Sequence, residues 1–304
     1  MTSRITVFGS LNMDLVIQAP RHPRPGETLT GGPFRTFPGG KGANQAVAAA
    51  RLGGQVTMIG CVGADAFGDA LLASLQADGV DTACVSRSTE ATGVALITVS
   101  AAGENTIVIA PGANGLLAPE TVARHREAII SADALLLQLE APLPAAEAAA
   151  RLAHAHNVPV ILNPAPAQPL PASLLRHITY LIPNQHEAAL LAGVLTDTSQ
   201  GAAEAAHALQ GAGIETIIMT LGERGAVVFT GDRQIATPSF PVQVVDTTAA
   251  GDAFVGAFAV ALTEGQTPVE AARWGCAAGA LACTVLGAQP SLPHRAAVAA
   301  LAGS

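Results

Sequence analysis

The chain has 304 residues, 50% of them hydrophobic, and carries 23 acidic against 15 basic side chains for a formal net charge of −8. That is enough apolar material for a sizeable buried core, in one large α/β unit or a main domain with a small appendage. The negative balance argues against a broad nucleic-acid-binding surface. No apolar run approaches the roughly 20 residues of a bilayer span, and Arg4 before a short apolar run is not a signal-peptide layout, so a cytoplasmic protein with no membrane partner is expected.

In chain order, residues 4–8 read as a first strand that ends in Gly9-Ser10-Leu11-Asn12-Met13-Asp14, with a short extended run at 15–17. The Pro- and Gly-rich stretch from Pro20 to Gly42 is too broken for a helix, but 28–30 and 34–37 are short strand candidates. A helix over 43–52, a strand over 56–61 and a helix over 66–76 follow. Residues 93–99 and 105–109 pair around an Ala-Ala-Gly-Glu turn. These antiparallel pieces do not fit a purely parallel sheet and predict a small second sheet able to cover a cleft as a lid.

From Pro119 the pattern alternates: helix 119–129, strand 134–138, helix 144–156, strand 158–162, helix 172–176, strand 178–182, helices 186–192 and 199–211, strand 214–220. A hairpin over 225–229 and 233–236 comes next, then helices 252–263, 268–284 and 293–301. The economical arrangement is a largely parallel, Rossmann-like central sheet with helices on both faces.

Several chemistries lose their usual support. Cys61, Cys84, Cys276 and Cys283 have no paired spacing, which reads as small buried side chains rather than a zinc site or disulfide framework. There is no His-Glu-x-x-His, no Gly-x-Ser-x-Gly, and no Gly-x-Gly-x-x-Gly after the first strand.

The strongest chemical signal is Asp246-Thr247-Thr248-Ala249-Ala250-Gly251-Asp252 at the start of an apolar helix. Small residues there leave amides free to meet an anion at the positive end of a helix. Asp252 in the first turn is either a general base or a cap. Pro38-Gly39-Gly40-Lys41-Gly42-Ala43-Asn44-Gln45 is a second concentration, a sugar or phosphate cradle that holds the only lysine of the chain. An ordinary solvent-facing lysine remains the alternative, and the spacing is not a Walker A loop.

Asn12 and Asp14, two apart, share one side of an extended segment and suit neighbouring hydroxyls. Glu140, Asn184 and Thr220 follow other strand candidates, and ligands of open α/β sheets collect beyond the carboxyl ends of strands. Asn184 and Glu187 read either as a capping box or as a phosphate and Mg²⁺ pair. Thr220-Leu221-Gly222-Glu223-Arg224-Gly225 is a tight turn over which a nucleotide could lie.

These motifs, with Asn163-Pro164-Ala165-Pro166 and Gly287-Ala288-Gln289-Pro290-Ser291, resemble in order and over nearly the whole chain the ribokinase branch of the carbohydrate kinase family. The resemblance implies one domain over 1–304 with a β-sheet lid from about 12–41 and 93–110 that pairs with a second subunit as a homodimer. It implies ATP-dependent phosphorylation of D-ribose at its 5-hydroxyl. Asn12, Asp14, Gly40, Lys41, Asn44 and Glu140 would bind sugar, Asp252 would be the base, and Ala249, Ala250 and Gly251 the anion hole.

Asn184, Thr220, Gly222, Gly225 and Gly251 would contact nucleotide, and Glu187 would organise Mg²⁺-bound water. Asp246, Thr248, Ala282, Val285, Gly287 and Ser291 would surround a monovalent cation, K⁺. Gln185 stands where Glu is common, and Cys276 where His or Asn is common. Rival readings are a kinase for another acceptor, such as 2-deoxyribose, a hexose or a nucleoside, and a sugar-binding regulatory protein without catalysis.

Overall fold

The computed structural model describes residues 3–303. Its strands are β1 (Arg4–Phe8), β2 (Asn12–Ala19), β3 (Phe34–Gly39), β4 (Gln55–Gly63), β5 (Val85–Ser88), β6 (Gly93–Ser100), β7 (Asn105–Ala110), β8 (Ala134–Leu137), β9 (Val160–Leu162), β10 (Tyr180–Leu181), β11 (Thr216–Thr220), β12 (Ala226–Thr230) and β13 (Arg233–Thr237). Nine form one sheet in the order β13-β12-β11-β10-β9-β8-β1-β4-β5, and four form a second in the order β3-β2-β6-β7. The large sheet is parallel from β5 to β11 and ends in the antiparallel pairs β11/β12 and β12/β13.

The apolar runs explain this layering. Leu136 packs into the core on one face of the sheet, while Leu135 and Leu137 pack into the core on the other; Ile161 and its neighbours Val160 and Leu162 divide the same way. Strands buried on both faces read as continuous hydrophobic runs, which requires helices above and below.

Chain direction across the sheet reverses beside β1: β4 lies on one side of it and β8 on the other. Ligands gather at such a switch point, outside the carboxyl ends of the strands. The chain leaves those ends at Gly9–Leu11 and at Gln138–Glu140.

Some expectations fail locally. Thr28–Thr30 forms no strand, and the expected 119–129 helix is two short helices, Pro119–Arg124 and Arg126–Ile130, parted at His125. β5 escaped notice because Val85–Ser88 holds a single apolar residue and owes its structure to pairing with Gly60–Gly63. The run at 15–17 is the middle of the eight-residue β2, whose length comes from its register with β3 and β6.

Two helices, Lys41–Arg51 and Ala250–Thr263, cross in close contact. A Cβ added to Gly256 would lie 2.5 Å from Ala48 Cβ and 2.9 Å from the Ala49 amide. Gly256→Ala should therefore force the helices apart and lower unfolding free energy by about 1–3 kcal/mol. Denaturant melts should show it, and a melt identical to wild type would remove Gly256 as the packing constraint.

Candidate active site

The site begins at the switch point. Ser10 Oγ donates to Glu140 Oε2 at 2.5 Å, and the same oxygen accepts from Asn12 Nδ2 at 3.2 Å and from the Lys41 amide at 3.1 Å. Glu140 thus ties the ends of β1 and β8 to the start of the Lys41–Arg51 helix. Gly40, the residue before that helix, has φ 89°, a left-handed conformation that glycine adopts without cost. A Cβ on it would lie 2.5 Å from the Asn12 amide.

Asn12 is oriented by a residue outside the sequence motifs. Asn114 Nδ2 donates to Asn12 Oδ1 at 2.8 Å, while its carboxamide also pairs with the Leu11 amide and carbonyl as a strand neighbour would. Asp14 is buried beside Gly39, where a Cβ would lie 2.4 Å from its carboxylate.

Asp252 lies buried in the first turn of the Ala250–Thr263 helix. Asn44 Nδ2 donates to its Oδ2 at 2.9 Å and Gln45 Nε2 to its Oδ1 at 3.0 Å. It caps nothing with its side chain, since the N-cap is Ala249 at φ 59° with no side-chain cap bond. Elsewhere Asp65, Asn184, Thr198 and Thr267 cap helices with their side chains.

Among the described residues the amides of Ala249, Gly251 and Asp252 have no acceptor, and Gly251 is exposed. The Ala250 amide donates at 3.3 Å to Thr247 O, so it is partly engaged. Unmet amides at a helix start are an anion site.

The charges are concentrated. Burial by itself lowers the Lys41 ammonium, but Asp252, Glu140, Glu187 and Asp14 outweigh it and hold the amine above its ordinary value. Lys41 is thus half-buried in an acidic surrounding, and among the described residues its ammonium makes no direct ion pair. Burial, then Glu140 and Asp252, pushes the Asp14 carboxyl up to about 7 against the pull of Lys41. Burial also raises Asp252, opposed by Lys41, Asn44 and Gln45.

On the next strand ends, the capping-box reading of Asn184 and Glu187 holds. Asn184 Oδ1 accepts from the Glu187 amide and Glu187 Oε2 from the Asn184 amide, both at 2.8 Å. That occupies one oxygen of Glu187, and burial raises its carboxyl. Asn184 bridges Thr220 at the end of β11, and Gly222 and Gly225, both at positive φ, close the turn beyond it. Gln185 is engaged with Arg224 at 2.6 Å and with Thr196 O at 2.5 Å. Burial pushes the Cys276 thiol up to about 12, which leaves it a neutral, apolar filler.

The Asp246 loop is a third cluster. Its Oδ1 accepts from the amide and hydroxyl of Thr248, and its Oδ2 from the Gly287 amide at 2.8 Å. Among the described residues the carbonyls of Asp246, Thr248, Val285 and Gly287 receive no hydrogen bond. Such oxygens around a carboxylate suit a hard cation. Ala282 O already accepts from Val285, and Ser291 Oγ donates to Ala288 O.

A cleft of about 820 Å³ runs from Asp14 between the second sheet, at Arg35 and Phe37, and the loops carrying Val244, Thr248 and Ala288. Among the described residues no three His, Cys, Asp or Glu side chains form a metal-holding cluster. Among the described residues no helix is long and apolar enough to cross a membrane, and all four cysteines are free.

A buried carboxylate at an open helix start, next to a polar cradle at a sheet switch point, is the layout of a carbohydrate kinase. The match to the pfkB family carbohydrate kinases spans residues 2–295, and the chain belongs to that family. It is 45% identical to the ribokinase of Haemophilus influenzae over 97% of both chains. It is 38% identical to a deoxyribokinase of Salmonella typhi over 95% of each. The structure of Arabidopsis thaliana ribokinase complexed with ribose and ATP superposes with a TM-score of 0.94 at 36% identity, covering 100% of both chains.

The raised Asp14 has a consequence for stability. A carboxyl whose folded pKa is about 7 against roughly 3.9 unfolded binds more protons folded, so stability falls as pH rises between those values. Asp14→Asn should remove that loss and stabilise the ligand-free protein above pH 7 by about 2–4 kcal/mol. Parallel melts at acid and alkaline pH check this; equal pH dependence in the two proteins would refute it.

Proposed function

We propose that the protein transfers the γ-phosphoryl group of ATP to the 5-hydroxyl of D-ribose. The observation that carries this reading is Asp252, buried, held by two carboxamides and set one residue beyond the exposed, unpartnered amide of Gly251. A sensor of sugar needs neither the base nor the amide turn, which disfavours a regulatory protein without catalysis.

Asn12, Asp14, Gly40, Lys41, Asn44 and Glu140 hold the sugar through hydroxyl contacts. Asp252 accepts the proton of the attacking hydroxyl. Amides at Ala249, Ala250 and Gly251, with that of Asp252 itself, stabilise charge on the transferred phosphoryl. Most of the acceleration comes from positioning and charge stabilisation. Asn184, Thr220, Gly222 and Gly225 line the nucleotide side. Because Cys276 is buried and neutral, adenine would be held there by shape rather than by a polar bond.

The donor chemistry suits both metals of the reading. The acidic surroundings of Lys41 disfavour bare phosphates; Mg²⁺ brought with ATP would supply positive charge there, and Glu187 would help to hold it through water. K⁺ would lie among Asp246, Thr248, Ala282, Val285, Gly287 and Ser291 and supply a fixed positive charge beside the anion hole.

The second sheet would close over the cleft as a lid. A second copy is its fitting cover: β7 is a free edge, exposed throughout, and Leu96 and Val108 are 52% and 66% exposed. Use of ATP fits residence in the cytoplasm.

Asp252→Asn should leave the protein folded and able to bind nucleotide while kcat falls by about 10²–10⁴-fold. Phosphorylation of ribose, 2-deoxyribose, fructose and adenosine should favour ribose. A near-wild-type kcat with chemistry limiting would reject the base, and preference for another acceptor would reject the sugar. The 2-deoxyribose arm carries weight because of the similarity to a deoxyribokinase.

K⁺ should stimulate ribose phosphorylation through kcat or apparent nucleotide affinity with Mg²⁺ saturating. Comparing K⁺, Na⁺ and a bulky organic cation at matched ionic strength separates site occupancy from screening. Equal rates in all three would remove the cation site and leave the Asp252 chemistry untouched.

A further inference from the structure

Two carboxamides hold Asp252, and Gln45 is the one outside the sugar-binding set. Its side chain is wholly buried. Its Nε2 lies 3.0 Å from Asp252 Oδ1 and 3.3 Å from Asn163 Oδ1, and its Oε1 accepts from Gln138 Nε2 at 2.5 Å.

A carboxamide can turn over and exchange donor for acceptor. Here a group that cannot turn over fixes the choice. The carbonyl of Ile182 can only accept, and it receives Asn163 Nδ2 at 3.0 Å. Asn163 must then show its oxygen to Gln45, and Gln45 must show its NH₂ to both Asn163 and Asp252. With Gln45 so placed, its Oε1 is left to accept from Gln138 Nε2, whose own Oε1 has no partner among the described residues. Reversing Gln45 would leave oxygen facing oxygen at Asn163 and at Asp252, and one NH₂ donor facing another at Gln138, each a buried polar group without its partner.

We propose that Gln45 is a positioning residue for phosphoryl transfer: its NH₂, locked as a donor through Asn163 by the Ile182 carbonyl, keeps Asp252 aimed and available as a proton acceptor. This rests on Asp252 being the base. Groups on every neighbouring element set the balance around it. Burial and the carboxylates of Glu140 after β8, Asp14 on β2 and Glu187 on the Gln185–Ala192 helix oppose ionisation. Lys41, Asn44 and Gln45, all on the Lys41–Arg51 helix, favour it.

The test is the pH dependence of kcat and kcat/KM for ribose in Gln45→Met, which keeps the volume and removes the donor. Loss of one hydrogen bond to the charged form should move the acid limb upward by about one to two pH units. On the acid limb kcat should fall about 10–100-fold and recover as pH rises past the shifted limb, with KM for ATP changed less than about twofold. Asn163→Leu, which removes the lock and leaves Gln45 in place, should shift the limb the same way by less.

A uniform loss at all pH values, with the limb unmoved, would make Gln45 a packing residue and overturn the proposal. Should neither variant fold, as judged by thermal melts, Gln45 belongs to the core alone and the proposal also falls. Asp252→Asn measured alongside separates the two readings: if it retains activity, the base assignment fails, whereas an inactive Asp252→Asn with unmoved Gln45 and Asn163 variants rejects only the positioning role.

Discussion

The crossing of two helices at Gly256 governs the rest of the site. Because nothing larger than hydrogen stands between Gly256 and Ala48, the Lys41–Arg51 and Ala250–Thr263 helices approach closely, with their first turns joined through Asn44, Gln45 and Asp252. Both first turns lie at the positive ends of helix dipoles. One is closed by the protein itself, through Glu140 at the Lys41 amide and Ser10 at the Gly42 amide. The other keeps open amides at Gly251 and Asp252. A single packing contact thus yields a filled helix start beside an open one, one suited to hold sugar and the other to receive a phosphoryl group.

That geometry is maintained against electrostatic cost. The carboxylates of Asp14, Glu140, Glu187 and Asp252 all act on the Lys41 charge, and burial raises the carboxyls of Asp14, Glu187 and Asp252. A fold selected for stability alone would neutralise some of these groups. By Coulomb repulsion the excess of negative charge disfavours phosphate that arrives without a cation. The buried amides of Gln45, Gln138 and Asn163 then supply donors where solvent is excluded, which is worth more than the same contacts in water.

The two sheets hold different parts of this centre. The large sheet carries the strand ends that fix Glu140, Asn184 and Thr220, whereas the second sheet joins the site through β2, which begins at Asn12, and through β3, which runs into the Lys41–Arg51 helix. Movement of that sheet would change access to Asp14 while leaving Asp252 on its helix.

The amino-acid sequence by itself determined the layered α/β architecture, because runs such as Leu135-Leu136-Leu137 are apolar on both sides and tolerate no other placement. It also located Asp252, Lys41, Asn12, Asp14 and Glu140, since glycine-rich turns and polar residues just past apolar strands are local patterns. It did not reveal β5, whose residues are ordinary and whose extension comes from a parallel neighbour. Nor did it show that the side chain of Asp252 leaves its helix uncapped, or that Lys41 stands in an acidic surrounding. Those features depend on groups far away along the chain: Gln45 meets Asp252 across 207 residues, Ser10 meets Glu140 across 130, and Asn114 meets Asn12 across 102. Hydrogen bonding and desolvation act over a few ångströms in space, so only the folded chain determined which carboxylate is held, which amide is free and which way round Gln45 must face.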